Sequence, residues 1–377
     1  MSEWAHWRRE WSGIWCDPWL RALVAWIPLL LGVWVCLLFQ GGLVRELPIG
    51  LIDQDHSALS RQLARSLDAS AAMKLEHEYL SLEEGARALR GGDIYALILL
   101  PHQLEKQVRQ SRQPEVTAFY NSQLLLVGRL LGSAIQQTLG TVNTRLATVG
   151  ALHHQPVTLA ALGESLPIRT QLTPLYNPSG NYAQFLLPPI LAALWQMVIQ
   201  IASISCFVHR QRCGHAGFWQ TGSRWRALVV ALSPYWLIYM GWGGLLSALI
   251  FGVFGWPMVG SWGLLLLGQG LMVLAVLAMG SLLYWLVRDG ARAMSLAAGY
   301  SAPAFAFLGV TFPTSQMDQL ARLWRSLLPV SHYIELQIGQ ASIGLLGLAA
   351  WTPIGALLPF MLIWPLVALL MRRGSHG

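Results

Sequence analysis

The chain has 377 residues, 54% of them hydrophobic and only 11% charged, against roughly one quarter charged in ordinary soluble domains. Its net charge of +7 invites a nucleic-acid reading, but the arginines sort around apolar runs rather than into one basic patch, which excludes it. With four cysteines, Cys16, Cys36, Cys206 and Cys213, none of them in the most polar stretch of the chain, a disulfide-stapled scaffold is excluded as well.

Residues 3–19 carry Trp4, Trp7, Trp11, Trp15 and Trp19 at steps of three and four. That spacing predicts a helix with one indole-rich face, with Arg9, Glu10 and Gly13 turned the other way. Such a helix suits the membrane–water interface, either as an anchor alone or also touching a cytoplasmic partner. Pro18 fits a bend into the next element. Residues 20–40 are the first of six long apolar runs; the others are 185–208, 228–254, 262–287, 294–312 and 348–371. Each is long enough as a helix to cross a hydrocarbon core of about 30 Å. No small-x-small cleavage site follows the first, so it reads as an uncleaved anchor.

The water-compatible block between the first and second runs alternates strand and helix signals. Strands are predicted near 48–52, 73–79, 95–100 and 116–120, and helices near 58–67, 82–89 and 101–110. Asp53, Asp55 and Ser57 form a turn and helix cap, Ser81 opens a capping box, and Pro101 suits a first helical turn. A long amphipathic helix follows over 122–148, too rich in Arg, Gln and Asn to be a span, then a loop-like return over 152–169. Later, 313–347 reads as two short helices broken at Pro329 and dipping into the outer leaflet.

Arginine placement sets the orientation. The connection between runs two and three holds Arg210, Arg212, Arg224 and Arg226 with no acid, and the chain closes with Arg372 and Arg373, whereas 255–261 is uncharged. Positive short loops stay in the cytoplasm, so both termini are expected there and the polar block outside. The predicted architecture is an α-helical integral membrane protein with six transmembrane helices and an inserted extracytoplasmic α/β domain. Its parts are an interface helix at 1–19, a first span at 20–41, the α/β domain with its long helix at 42–183, and the remaining spans at 184–377.

Function is bounded first by what is missing. There is no G-x-x-x-x-G-K-[ST] loop, and Lys74 and Lys106 are the only lysines. No carboxylate or lysine interrupts the runs, which disfavours a proton- or sodium-coupled carrier. Asp53 with Asp55 reads as turn chemistry rather than a catalytic pair. His209, Cys213 and His215 read as a solvated basic loop rather than a metal site. Gln196, Gln200 and Gln269 are the notable polar groups within runs; they are candidates for a translocation path or for bonds between helices, packing being favoured.

Four phrases carry a resemblance. They are Ile49–Ser57 with Ser60-Arg61-Gln62-Leu63, Asp93–Pro101, Tyr176-Asn177-Pro178 leading into Phe185–Pro189, and Leu327-Leu328-Pro329-Val330-Ser331-His332-Tyr333-Ile334. In this order the chain resembles permease subunits of ABC-2 type ABC transporters, in the subgroup with a large extracytoplasmic domain after the first span. The resemblance implies a bacterial inner-membrane exporter subunit that pairs with a second permease and with separate ATP-binding subunits. No cofactor would be bound by this chain, ATP and magnesium residing on the partner. It also implies a coupling helix within 209–226, where Arg210, Arg212, Phe218, Trp219, Arg224, Trp225 and Arg226 are the expected contacts with the ATP-binding subunit. The Trp-striped helix with Trp4, Trp7, Trp11 and Trp15 matches the family's interface helix. A periplasmic adaptor protein, if one docks, would use the helix at 122–148. The alternatives are an ion-coupled secondary transporter and a membrane receptor with an outer sensor domain.

Overall fold

A computed structural model describes residues 3–39, 45–110, 112, 114–120, 125–152, 177, 181–213, 223–310 and 314–373. The chain divides into two compact units, one of residues 43–173 and one of residues 1–42 with 174–377.

The first unit is built on a four-stranded sheet ordered β2-β1-β3-β4, with β1 Leu47–Asp53, β2 Met73–Glu78, β3 Ala96–Leu100 and β4 Thr117–Tyr120. β1 runs parallel to both β2 and β3, and β4 closes the sheet antiparallel to β3. Parallel neighbours need crossovers, and helices α3 (Ala58–Asp68) and α4 (Leu82–Gly91) supply them. Ile49, Leu51 and Ile98 pack on one face against Leu59, Leu63 and Leu67 of α3. The long helix α6 (Leu125–Leu152) joins the same core through Leu131, Ile135 and Val142, leaving Arg129, Gln136 and Arg145 exposed. Ile52 and Leu97 pack on the other face with Ala88 and Leu89 of α4. Gly85 is needed there, since a Cβ would stand 2.7 Å from Leu97.

Serines 57 and 81 cap α3 and α4 as the sequence predicts, accepting from the N–H groups of Ser60 and Glu84. The third helix departs from expectation. α5 spans Leu104–Arg109 and does not begin at Pro101; Gln103 turns the chain first, at φ 57°. Its start is fixed from a distance, because the Glu105 N–H donates to Asp55 at 3.0 Å while the Glu105 carboxylate accepts from the Ala58 N–H at 3.2 Å. Each acid serves the other's helix, and no local pattern announces that.

The second unit is helical. Five of its helices are long and apolar enough to cross a membrane: α2 (Pro18–Leu38), α7 (Tyr182–Arg212), α8 (Arg224–Val253), α9 (Trp262–Val287) and α14 (Leu348–Arg372). The most apolar windows of α7 and α9 are 72% and 56% buried, against 22–33% for the other three, so these two form the axis of the bundle. Asn181 caps α7 by accepting from the N–H groups of Ala183 and Gln184, and Asn177 braces that cap through two hydrogen bonds with the Asn181 backbone.

The expected span at 294–312 is not one helix. α10 (Gly290–Ser301) is only 12 residues, and α11 (Ala304–Phe307) follows after a turn at Ala302-Pro303. Twelve residues rise about 18 Å, short of the hydrocarbon core. Pro303 has no N–H with which to continue the helical ladder, and Gly309, at φ 81°, ends the short second piece. Next come α12 (Gln319–Ser326) and α13 (Pro329–Ile338), the two short helices expected there, with nearly every residue of α13 buried. The expected return at 152–169 begins at the last residue of α6, and the rest of it, with residues 214–222, lies outside the described residues.

Candidate functional site

Helix α1 (Glu3–Cys16) lies against the ends of α7 and α8. Trp7 donates from its indole N–H to Ser233 on α8 at 3.0 Å, and Trp19 donates to Ser205 on α7 at 3.1 Å. Ile14 is fully buried, Trp11 is partly buried, and Trp4 and Trp15 are half exposed on the flanks. Arg8 covers the Trp4 ring at 3.7 Å. The predicted polar face needs correction. Glu10 and Gly13 turn towards the bundle, where Glu10 pairs with Arg210 and Gly13 lies against His209. An acid on an amphipathic helix reads as solvent-facing until its counter-ion, distant in sequence, is placed beside it.

An ion pair and a histidine–aspartate hydrogen bond therefore tie this N-terminal helix and the start of α2 to the last turn of α7. In the first, Arg210 is 5% exposed and Glu10 14% exposed, so both charges are largely withdrawn from water. Burial raises the Glu10 carboxyl above its usual range, although Arg210 and then His209 pull the other way. In the second, His209 Nδ1 stands 2.8 Å from Asp17 Oδ2. The other Asp17 oxygen caps α2 by accepting from the N–H groups of Trp19 and Leu20. Burial alone would raise the Asp17 carboxyl; the hydrogen bonds from Leu20, His209 and Trp19 outweigh it and hold it below the ordinary range. A cavity of about 320 Å³ opens beside the pairs, lined by residues that include Arg9, Ser12, Cys16 and Cys213. Cys213 Sγ lies 3.6 Å from His209 Nε2, but among the described residues no group of three or more His, Cys, Asp or Glu could hold a metal.

The expected partner-facing residues separate. Arg210 is inside, on Glu10. Arg212, Trp225 and Arg226 are exposed, and Arg224 is half-buried. Phe218 and Trp219 lie outside the described residues.

Each of the three glutamines is at most 1% exposed and bonds across helices. Gln196 accepts from the Val330 N–H at 3.0 Å, capping the first turn of α13, which has no side-chain cap of its own. Gln200 accepts from the Ser301 hydroxyl at 2.5 Å, at the end of α10. Gln269 donates to the Met240 carbonyl at 3.1 Å, crossing from α9 to α8 where Gly243 leaves room for its amide. Ser203 donates to the Leu277 carbonyl at 2.9 Å and pairs with Ser281 at 3.1 Å. The glutamines on α7 thus hold the axis helix to the broken element and to the first turn of α13. Sequence reasoning missed Glu10 and Asp17 as partners for α7; the basic, acid-free end of α7 was the available signal.

Comparison with curated proteins and with solved structures returns no match. A family model does match, that of the ABC-2 family transporter proteins, over residues 18–370. That span runs through the sheet unit and from α2 into α14, and the chain belongs to that family of membrane transport proteins.

Proposed function

We propose that this chain is the permease subunit of an ATP-driven exporter in a bacterial inner membrane. It pairs with a second permease to enclose the substrate path, and a separate ATP-binding subunit drives it. Family membership supports the permease role, and the 377 residues contain no phosphate-binding loop of their own. The acid-free arginine cluster of 209–226 supports a cytoplasmic position for that segment, with both termini on the same side and residues 43–173 outside. That orientation needs an even number of crossings, and α10 with α11 then makes the sixth as a broken helix.

One observation carries the mechanism. The Glu10–Arg210 and Asp17–His209 pairs fasten the N-terminal helix to the last turn of α7, directly before the basic loop. A push on that loop by the ATP-binding subunit moves α1 and α7 together. Through Gln196 and Gln200 the motion reaches α13 and α10. The surface offered to the partner is Arg212, Arg224, Trp225 and Arg226, with Phe218 and Trp219 in the loop between; Arg210 acts from inside. The glutamines hold helices in register and come to face the path only when the bundle rocks. The exposed side of α6 is the surface for a periplasmic adaptor. The test is co-purification from membranes with a Walker-motif ATP-binding subunit. The Arg212→Glu/Arg226→Glu variant is expected to lose that subunit while still folding, and unchanged recovery overturns the assignment.

A further inference from the structure

An apolar groove of about 600 Å³ lies between α8, α9 and α14. Its walls include Trp225, Val229 and Trp236 of α8, Leu277 of α9 and Trp364 of α14. Ser233, the polar side chain in its wall, is already committed to the Trp7 indole. The walls are almost wholly apolar, and the size is that of a small-molecule site, about 300–1,000 Å³. From Trp225 to Trp236 the α8 wall is about 16 Å long, at 1.5 Å per residue, enough for most of a fatty-acyl chain.

One end of the groove is different in kind. Trp225 stands in the first turn of α8 between Arg224 and Arg226, and that turn holds no acid. Ser223 caps it without a side-chain hydrogen bond, and the Arg224 Nε is buried with no partner among the described residues. Positive charge, a helix N-terminus without a cap from the Ser223 side chain and an indole thus meet at the mouth of an apolar slot. A helix N-terminus beside arginines favours an anionic group, and basic pockets between spans on the cytoplasmic side take lipid headgroups.

We propose that this groove binds one anionic phospholipid of the surrounding bilayer, with an acyl chain along α8 and the phosphate at Arg224 and Arg226. The site rests on the orientation argued above, which puts the mouth at the inner leaflet. The lipid sits beside α1, whose Trp7 reaches the groove wall, so it also steadies the helix that Glu10 fastens to Arg210.

The experiment uses the full chain reconstituted in phosphatidylcholine vesicles doped with phosphatidylglycerol bearing a photoreactive acyl chain. Irradiation should place adducts within 225–236 and 361–365, and unlabelled phosphatidylglycerol should compete while phosphatidylcholine should not. Val229, 64% exposed, tolerates a larger side chain, and Val229→Trp should cut labelling about tenfold by displacing a few buried methylenes. Leu30→Trp, at an exposed site on α2, should leave labelling unchanged. Arg224→Ala/Arg226→Ala should reduce the preference for phosphatidylglycerol over phosphatidylcholine by about fivefold or more. Adducts spread evenly over the exposed leucines of α2 and α14, labelling indifferent to Val229→Trp, or cross-links from the groove to a second copy in place of lipid would each overturn the proposal. No ATP-binding subunit is present in this assay, so its failure leaves the permease reading standing, and failed co-purification leaves this site standing.

Discussion

The sheet unit and the helical bundle solve the same problem, buried or unfilled polar groups, over very different distances. In residues 43–173 most capping bonds are local: Asp53 accepts from the N–H groups of Asp55 and His56 and from the Ser60 hydroxyl, all within seven residues. In the bundle the helix ends at Asp17, Asn181, Ser261 and Asp289 are capped just as locally, but the bonds of buried polar groups reach far along the chain, from Gln196 to Val330, from Gln340 to the Ser261 N–H, and from Glu10 to Arg210. Water is scarce inside the bundle, so a buried polar group there finds its partner on another helix. The polar residues of the sheet unit therefore define turns, whereas those of the bundle define which helices touch.

The largest test of that contrast is the Glu10–Arg210 pair. Removing one partner leaves a buried charge uncompensated, and Glu10→Ala or Arg210→Ala should each cost about 3–5 kcal/mol, while replacing both by Met should recover most of it. Tryptophan fluorescence on heating reads this cleanly, because all 18 tryptophans lie outside residues 43–173. Equal loss in single and double variants would break the contrast. Next in size, Gln196→Leu orphans the Val330 N–H and should cost about 1–3 kcal/mol. Hydrogen exchange should quicken in the first turn of α13 and leave the sheet unit unchanged.

A pH effect sharpens the comparison from the other side. Burial would raise the Asp53 carboxyl, but bonds from Ser60, His56 and Asp55 hold it below its usual range. Its folded-state pKa is thus depressed, so its contribution is complete above the unfolded value of about 3.9 and is lost as pH falls further, through the folded value. Amide protection in β1 and α3 should drop below about pH 4 in the full chain, and Asp53→Asn should flatten that dependence. The smallest effect belongs to a local cap: Ser57→Ala should cost roughly 0.5–1 kcal/mol, confined to α3.

The same distances explain what the sequence disclosed. The four strands, the serine caps and the apolar face of α6 were legible because period and cap lie within a few residues of each other. The start of α5 was not, since Asp55 supplies its cap from 50 residues away. Five of the six apolar runs became span-length helices, and the sixth broke at Ala302-Pro303, a proline whose effect hydropathy does not register. At the candidate site the tryptophan stripe was visible, but the inward turn of Glu10 depended on Arg210, 200 residues on. Arg210 was legible as part of a basic segment and illegible as a buried pair. The groove between α8, α9 and α14 had no sequence signature, because its walls come from three separate runs of ordinary apolar residues.

The central claim is that these helices move substrate only when a separate ATP-hydrolysing subunit drives them. The direct measurement is solute accumulation in liposomes holding the purified chain alone, under an imposed proton or sodium gradient, and then with the ATP-binding subunit and ATP added. No uphill accumulation is expected from the gradient alone, and accumulation should begin with the subunit and ATP together. Uphill accumulation by the chain alone under either gradient would contradict the account.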